Sequence, residues 1–89
     1  MTRCQVTIAN KLGLHARAAA RLVQLASGFS SDITVRRDSR EVNAKSIMGV
    51  MMLAAGRGVE IEIAASGSDE QTAVVALREL VCNRFGEAE

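Results

Sequence analysis

The sequence predicts an α+β fold in which helices cover one face of a four-stranded, mainly antiparallel sheet. Three observations carry this. Short segments of strict apolar/polar alternation are separated by segments of helical spacing. The elements run β-α-β-β-α-β-α along 89 residues, which is the size of one domain with one modest core, taken here as residues 1–89. Strands with one apolar face and helices with one apolar stripe call for two layers.

The elements follow in order. Cys4, Val6 and Ile8 alternate with Gln5 and Thr7, a half-buried strand. It ends near Asn10, and Lys11 to Leu14 form a loop. Helical spacing begins at Ala16, with Ala19, Leu22, Val23 and Ala26 on one stripe and Gly28 in the C-cap region. Ile33 and Val35 begin a hairpin that turns near Asp38 and Ser39 and returns through Glu41 to Asn43. Ser46 precedes a short apolar helix from Ile47 to about Leu53, broken by Gly56 and Gly58. Val59, Ile61, Ile63 and Ala65 alternate with Glu60, Glu62 and Ala64, the clearest strand of the chain. Ser68 or Asp69 is placed to cap a last helix, with Gln71 or Thr72 at its third position and Ala73, Leu77, Leu80 and Val81 on its inner face; Gly86 closes it. The outer face of the sheet, with Gln5, Thr7, Thr34, Arg36, Glu60 and Glu62, is expected to be wet.

Composition excludes several functions. The formal net charge is +1, without the clustered basic excess of a nucleic-acid or polybasic membrane binder. Two Phe and no Trp or Tyr are too few for a base-stacking platform. The start of the chain has no signal-peptide pattern, and the longest apolar run, Val50 to Ala55, is far too short to span a bilayer, so a cytoplasmic location is expected. Cys4 and Cys82 have no metal or redox spacing and read as free thiols. No metal and no cofactor is expected.

The lone histidine, His15, stands directly before a helix whose first turn holds Ala16 and Arg17. Free backbone N–H groups at a helix start, and the dipole they express, favour anions and disfavour imidazolium. The ring is thus kept nucleophilic, and a phosphoryl group on it would lie among N–H donors, that of Ala16 included. Arg17 adds a planar fork matched to phosphate oxygens. The plain alternative is a histidine that only caps the helix. A metal site lacks a second ligand at suitable spacing, and hydrolysis lacks a carboxylate, since no Asp or Glu lies within ten residues of His15.

Two further features bear on partners. Arg17, Ala20, Arg21 and Gln24 share the outer face of the first helix, which is either a basic docking face or merely solvated. Ile47, Met48, Val50, Met51, Met52 and Leu53 leave the second helix almost no polar side. A short helix on a two-layer domain buries one stripe only, so some of these side chains should remain exposed as a pliable apolar surface. Ser46 is a natural N-cap for that helix.

The segment from Asn10 through Lys11, Leu12, Gly13, Leu14, His15 and Ala16 to Arg17 resembles the active-site segment of HPr, the histidine phosphocarrier family of the bacterial phosphoenolpyruvate-dependent phosphotransferase system. The segment Val42 to Gly49 resembles that family's regulatory serine segment, and Gly67 to Glu70 resembles the opening of its last helix. The resemblance implies an open-faced β-sandwich and a stoichiometric carrier rather than an enzyme. It implies that His15 takes phosphate on Nδ1 from Enzyme I and passes it to an Enzyme IIA-type protein, with Arg17 stabilising the phosphorylated ring. It also implies Ser46 as the target of an HPr kinase/phosphorylase. Ile47, Met48, Met51 and Met52, with Ala20, Arg21 and Gln24, are the expected docking residues of a monomer. The family pattern has Pro where this chain has Ala18, as in some HPr variants and the nitrogen-related NPr branch. An HPr-like regulator acting mainly by docking and through Ser46, without sugar transport, is the alternative; an intact His15 and Arg17 count against it.

Overall fold

The computed structural model describes all of residues 1–89. The strands are β1 (Thr2–Thr7), β2 (Asp32–Arg37), β3 (Arg40–Asn43) and β4 (Glu60–Ser66), and the helices are α1 (Ala16–Ser27), α2 (Ile47–Met52) and α3 (Glu70–Cys82). They form one sheet in the order β1-β4-β2-β3. Every pairing is antiparallel, so the sheet is more uniform than the "mainly antiparallel" expectation. The helices lie on one face: α3 packs on β1 and β4, and α1 packs against α2 and α3.

The alternation explains the register. Val6 faces Ile61 across β1 and β4, and Val35 faces Ile63 across β2 and β4. All four side chains point into one apolar cluster, where they meet Ala18, Ala19 and Leu22 of α1 and Leu77 and Val81 of α3. Burying such a side chain stabilises the fold by roughly 1.5–3 kcal/mol. On the open face Gln5, Thr7 and Glu60 are exposed, while Thr34, Arg36 and Glu62 are half-buried. Glu62 lies 3.1 Å from Arg36 and 3.8 Å from Arg3. Both cysteines are free thiols, Cys82 exposed and Cys4 half-buried; burial pushes the Cys4 thiol up.

Helix α2 is too short to persist by propensity alone. Both its ends are held from outside its hydrogen-bond ladder. The Ser46 hydroxyl accepts from the Gly49 N–H at 3.1 Å. At the other end, guanidinium groups from the β2–β3 hairpin donate to the last carbonyls: Arg40 to Met52 at 2.7 Å, and Arg37 to Leu53 and Ala54 at 3.1 and 2.8 Å.

The last helix differs from the sequence reading at both ends. Asp69 is its N-cap residue but makes no capping bond. Its carboxylate instead accepts from the backbone N–H of Ser30 and Ser31 and from the Ser31 hydroxyl, which a local reading of the helix start does not weigh. Glu70, rather than Gln71 or Thr72, reaches back to the Gly67 N–H at 3.2 Å. The helix also stops at Cys82 rather than at Gly86. A 3-10 turn over Arg84–Gly86 follows, with positive φ at Arg84, Phe85 and Gly86. Phe85 is wholly buried and anchors this turn.

Candidate functional site

The loop before α1 is pinned on both sides. Gly13 has φ +66°, and a Cβ there would lie 2.4 Å from the Ala55 carbonyl oxygen. Only glycine allows so close an approach of the α2–β4 connection. Beside it, the Leu14 N–H donates to the same Ala55 oxygen at 2.9 Å. Asn10 is completely buried and closes the loop from inside, donating to the Gly13 carbonyl at 2.8 Å.

This loop delivers His15 to the N-cap position of α1 in extended conformation, with φ −73° and ψ 178°. Its side chain does not cap the helix. The carbonyl of His15 accepts the first helical bond, from Ala19 at 2.8 Å. The N–H groups of Ala16, Arg17 and Ala18 therefore have no partner inside the helix. Ala18 adds a donor to this set that the proline of the family pattern lacks. Arg17 is exposed and lines the same shallow depression as His15, with Lys11 and Arg21 on its flanks.

The imidazole turns toward the end of the chain. Nε2 of His15 lies 2.5 Å from Oε2 of Glu87. The other oxygen of Glu87 accepts from Nδ2 of Asn10 at 2.9 Å, so Asn10 uses both amide hydrogens to join the histidine loop to the tail. The Arg21 guanidinium donates to the Phe85 carbonyl and ties the turn to α1. The Asn10 bond, against partial desolvation, holds the Glu87 carboxyl below its ordinary value; its hydrogen bond to His15 and the charge of Arg21 act in the same direction. A carboxylate accepts only, so Nε2 is the protonated nitrogen of the neutral ring and Nδ1 carries the free lone pair.

The remaining sequence candidates lie on adjoining surfaces. Ala20, Arg21 and Gln24 are exposed on the outer side of α1. On α2 only Val50 is buried; Ile47 and Met51 are partly open, and Met48 and Met52 are 73% and 60% exposed. Because α1 and α2 are packed neighbours, the basic and the apolar strips belong to the same side of the domain. Sequence reading missed Asn10 and Glu87. Asn10 reads there as the end of a strand and the first residue of the matched segment, with no role of its own, and Glu87 lies 72 residues from His15, beyond any local pattern.

Comparison with known proteins places this arrangement among the bacterial phosphocarriers. The family model described as the PTS HPr component phosphorylation site matches residues 2–83. The phosphocarrier protein HPr of Cupriavidus necator is 56% identical over 89 residues, covering 100% of both chains, and that of Pseudomonas aeruginosa is 48% identical over 90 residues with the same coverage. Among solved structures, HPr from Thermoanaerobacter tengcongensis superposes with a TM-score of 0.96 at 48% identity over 100% of both chains. Crh, the Bacillus subtilis catabolite repression protein seen as a domain-swapped dimer, gives 0.76 at 44% identity, covering 94% of this chain and 97% of its own. The chain belongs to the HPr family of the phosphotransferase system.

Proposed function

We propose that this protein takes a phosphoryl group from phosphorylated Enzyme I on Nδ1 of His15 and passes it to an Enzyme IIA-type protein. The observation that carries the reading is the ring itself: Nε2 is engaged by Glu87, no capping bond occupies the other nitrogen, and the ring stands at a helix start with unpaired N–H donors. A phosphoryl group on Nδ1 would be met by those donors and by Arg17. The protein supplies an accepting nitrogen and an anion site, and its partners supply the remainder of each active site. It therefore acts as a stoichiometric carrier, and we read it as a monomer of the cytoplasm. No helix is long and apolar enough to cross a membrane.

The partners dock on the exposed strip of Ala20, Arg21 and Gln24 with Ile47, Met48, Met51 and Met52. An apolar centre beside positive charge suits an apolar patch rimmed by acids. Ser46, at the start of α2, is the site at which an HPr kinase/phosphorylase regulates docking. Phosphate there adds close to two negative charges beside Ile47 and Met48, and an acidic partner surface is repelled.

The test is incubation with phosphoenolpyruvate and Enzyme I, followed by intact mass and acid treatment. One acid-labile phosphate per chain is expected in the wild type and none in His15→Ala. Undiminished labelling of that variant overturns the assignment.

A further inference from the structure

We propose that Glu87 is a positioning residue for phosphoryl transfer: it holds the proton on Nε2 of His15, leaves the Nδ1 lone pair free, and balances the positive charge that the ring acquires when Nδ1 is phosphorylated. The proposal rests on the carrier reading above and deepens it.

Three features of the structure point to a built contact rather than a stray tail. First, Glu87 is gripped from two directions, by His15 Nε2 at 2.5 Å and by the buried amide of Asn10 at 2.9 Å. Second, the same Asn10 amide holds the Gly13 carbonyl, so the carboxylate and the histidine loop share one support. Third, the chain reaches this position only through positive φ angles at Arg84, Phe85 and Gly86, at 55°, 54° and 77°. Two of these residues are not glycine, and such conformations persist only where the surroundings compensate. Here the compensation is the buried Phe85 ring and the hydrogen bond from Arg21 to the Phe85 carbonyl. The side chain of Glu87 is 14% exposed in its pair with His15, and its carboxyl is held in the ionised form by these partners.

The chemistry follows from where the proton sits. In the accepting step the Nδ1 lone pair forms a bond to phosphorus while the bond from phosphorus to the donor breaks, its electron pair leaving with the donor. The Nε2 proton stays in place, so the neutral ring becomes cationic. A carboxylate already hydrogen-bonded to Nε2–H interacts more strongly with the cationic ring than with the neutral one, and only such differential interaction accelerates the step. In the donating step the Nδ1–phosphorus bond breaks, its pair returns to Nδ1, and the ring is again neutral with the proton still on Nε2. One fixed proton thus serves both directions of transfer.

The experiment compares the full chain, Glu87→Gln, and a chain ending at Gly86, with thermal melts to show that each is folded. Ring-¹⁵N-labelled protein at pH 8 reports the Nε2–H proton directly. The wild type should show it protected from solvent exchange, the chain ending at Gly86 should lose it, and Glu87→Gln, whose neutral amide oxygen is a weaker acceptor, should exchange it faster. Under one donor concentration the rate of phosphate acceptance should fall roughly tenfold to a hundredfold in both variants, the range of a hydrogen bond to a charged group, while His15 remains the labelled residue. An unchanged ring proton, or an unchanged rate, overturns the proposal. A faster rate in either variant makes the tail an obstruction and also overturns it. A wild type that accepts no phosphate brings down the carrier reading itself, whereas a wild type that is labelled no faster than Glu87→Gln brings down only the role of Glu87.

Discussion

Replacing Gly13 with alanine should both unfold the protein more easily and misplace His15, and a second glycine allows the two contributions to be separated. Gly58 also has positive φ, at +86°, but a Cβ there meets nothing within 4 Å. Gly58→Ala therefore reports the conformational strain of an L-residue alone, about 1–2 kcal/mol, reduced by up to about 1 kcal/mol because alanine also restricts the unfolded chain. At Gly13 the φ of +66° brings similar strain, and the new Cβ would lie 2.4 Å from the Ala55 carbonyl oxygen and 2.7 Å from the Gly56 Cα. Both are backbone atoms and cannot turn aside. The connection must shift by about an ångström, an overpacking cost of about 1–3 kcal/mol. The Leu14 N–H to Ala55 bond is also weakened, by about 1 kcal/mol. Gly13→Ala should then lose about 2–6 kcal/mol in urea melts, and its thermal midpoint should fall by at least about 8 °C, at 4–8 °C per kcal/mol for a chain of this size. Phosphate acceptance should also slow, since this loop sets the N-cap position of His15. A Gly13→Ala protein no less stable than Gly58→Ala would show that the α2–β4 connection does not press on the histidine loop.

Other consequences follow from single contacts. Ser46→Ala should cost about 1 kcal/mol in chemical denaturation through loss of the Gly49 cap, yet still accept phosphate; Ser46→Asp should accept it more slowly than wild type at low salt, and equal rates would return Ser46 to a purely capping role. Met48→Asp, at a side chain 73% exposed, should change stability by no more than about 0.5 kcal/mol while weakening Enzyme I binding more than about tenfold by titration calorimetry; full affinity would place docking elsewhere. Glu70 is held down to about 2, first by the Thr2 hydroxyl, then by the Gly67 N–H and the amino terminus. A depressed carboxyl stabilises the fold above its ordinary value of 4.5 and loses that contribution as pH falls from there to about 2. Urea midpoints measured across that window should fall less steeply for Glu70→Gln than for wild type, and parallel curves would contradict the contact.

Much of this protein can be read along the chain because its signals are local. Period-2 alternation at Val59 to Ala65 and helical spacing at Ala16 to Ala26 depend only on backbone geometry, and the resulting elements lie within a few residues of their expected bounds. The same locality puts His15 at the N-cap and Arg17 in the first turn of α1, as the spacing predicts, beside the free N–H groups of the helix start. What the tertiary structure alone decided are the contacts between distant segments. Asp69 has the composition of a helix cap, but folding brings Ser30 and Ser31 against it, and three hydrogen bonds outcompete one. The neighbourhood of His15 holds no carboxylate in sequence, and nothing in a pattern of apolar spacing marks a turn whose positive φ values fall on Arg84 and Phe85. That turn depends on the burial of Phe85 in the finished core. Only then does the tail return to α1 and place Glu87 on Nε2 of His15.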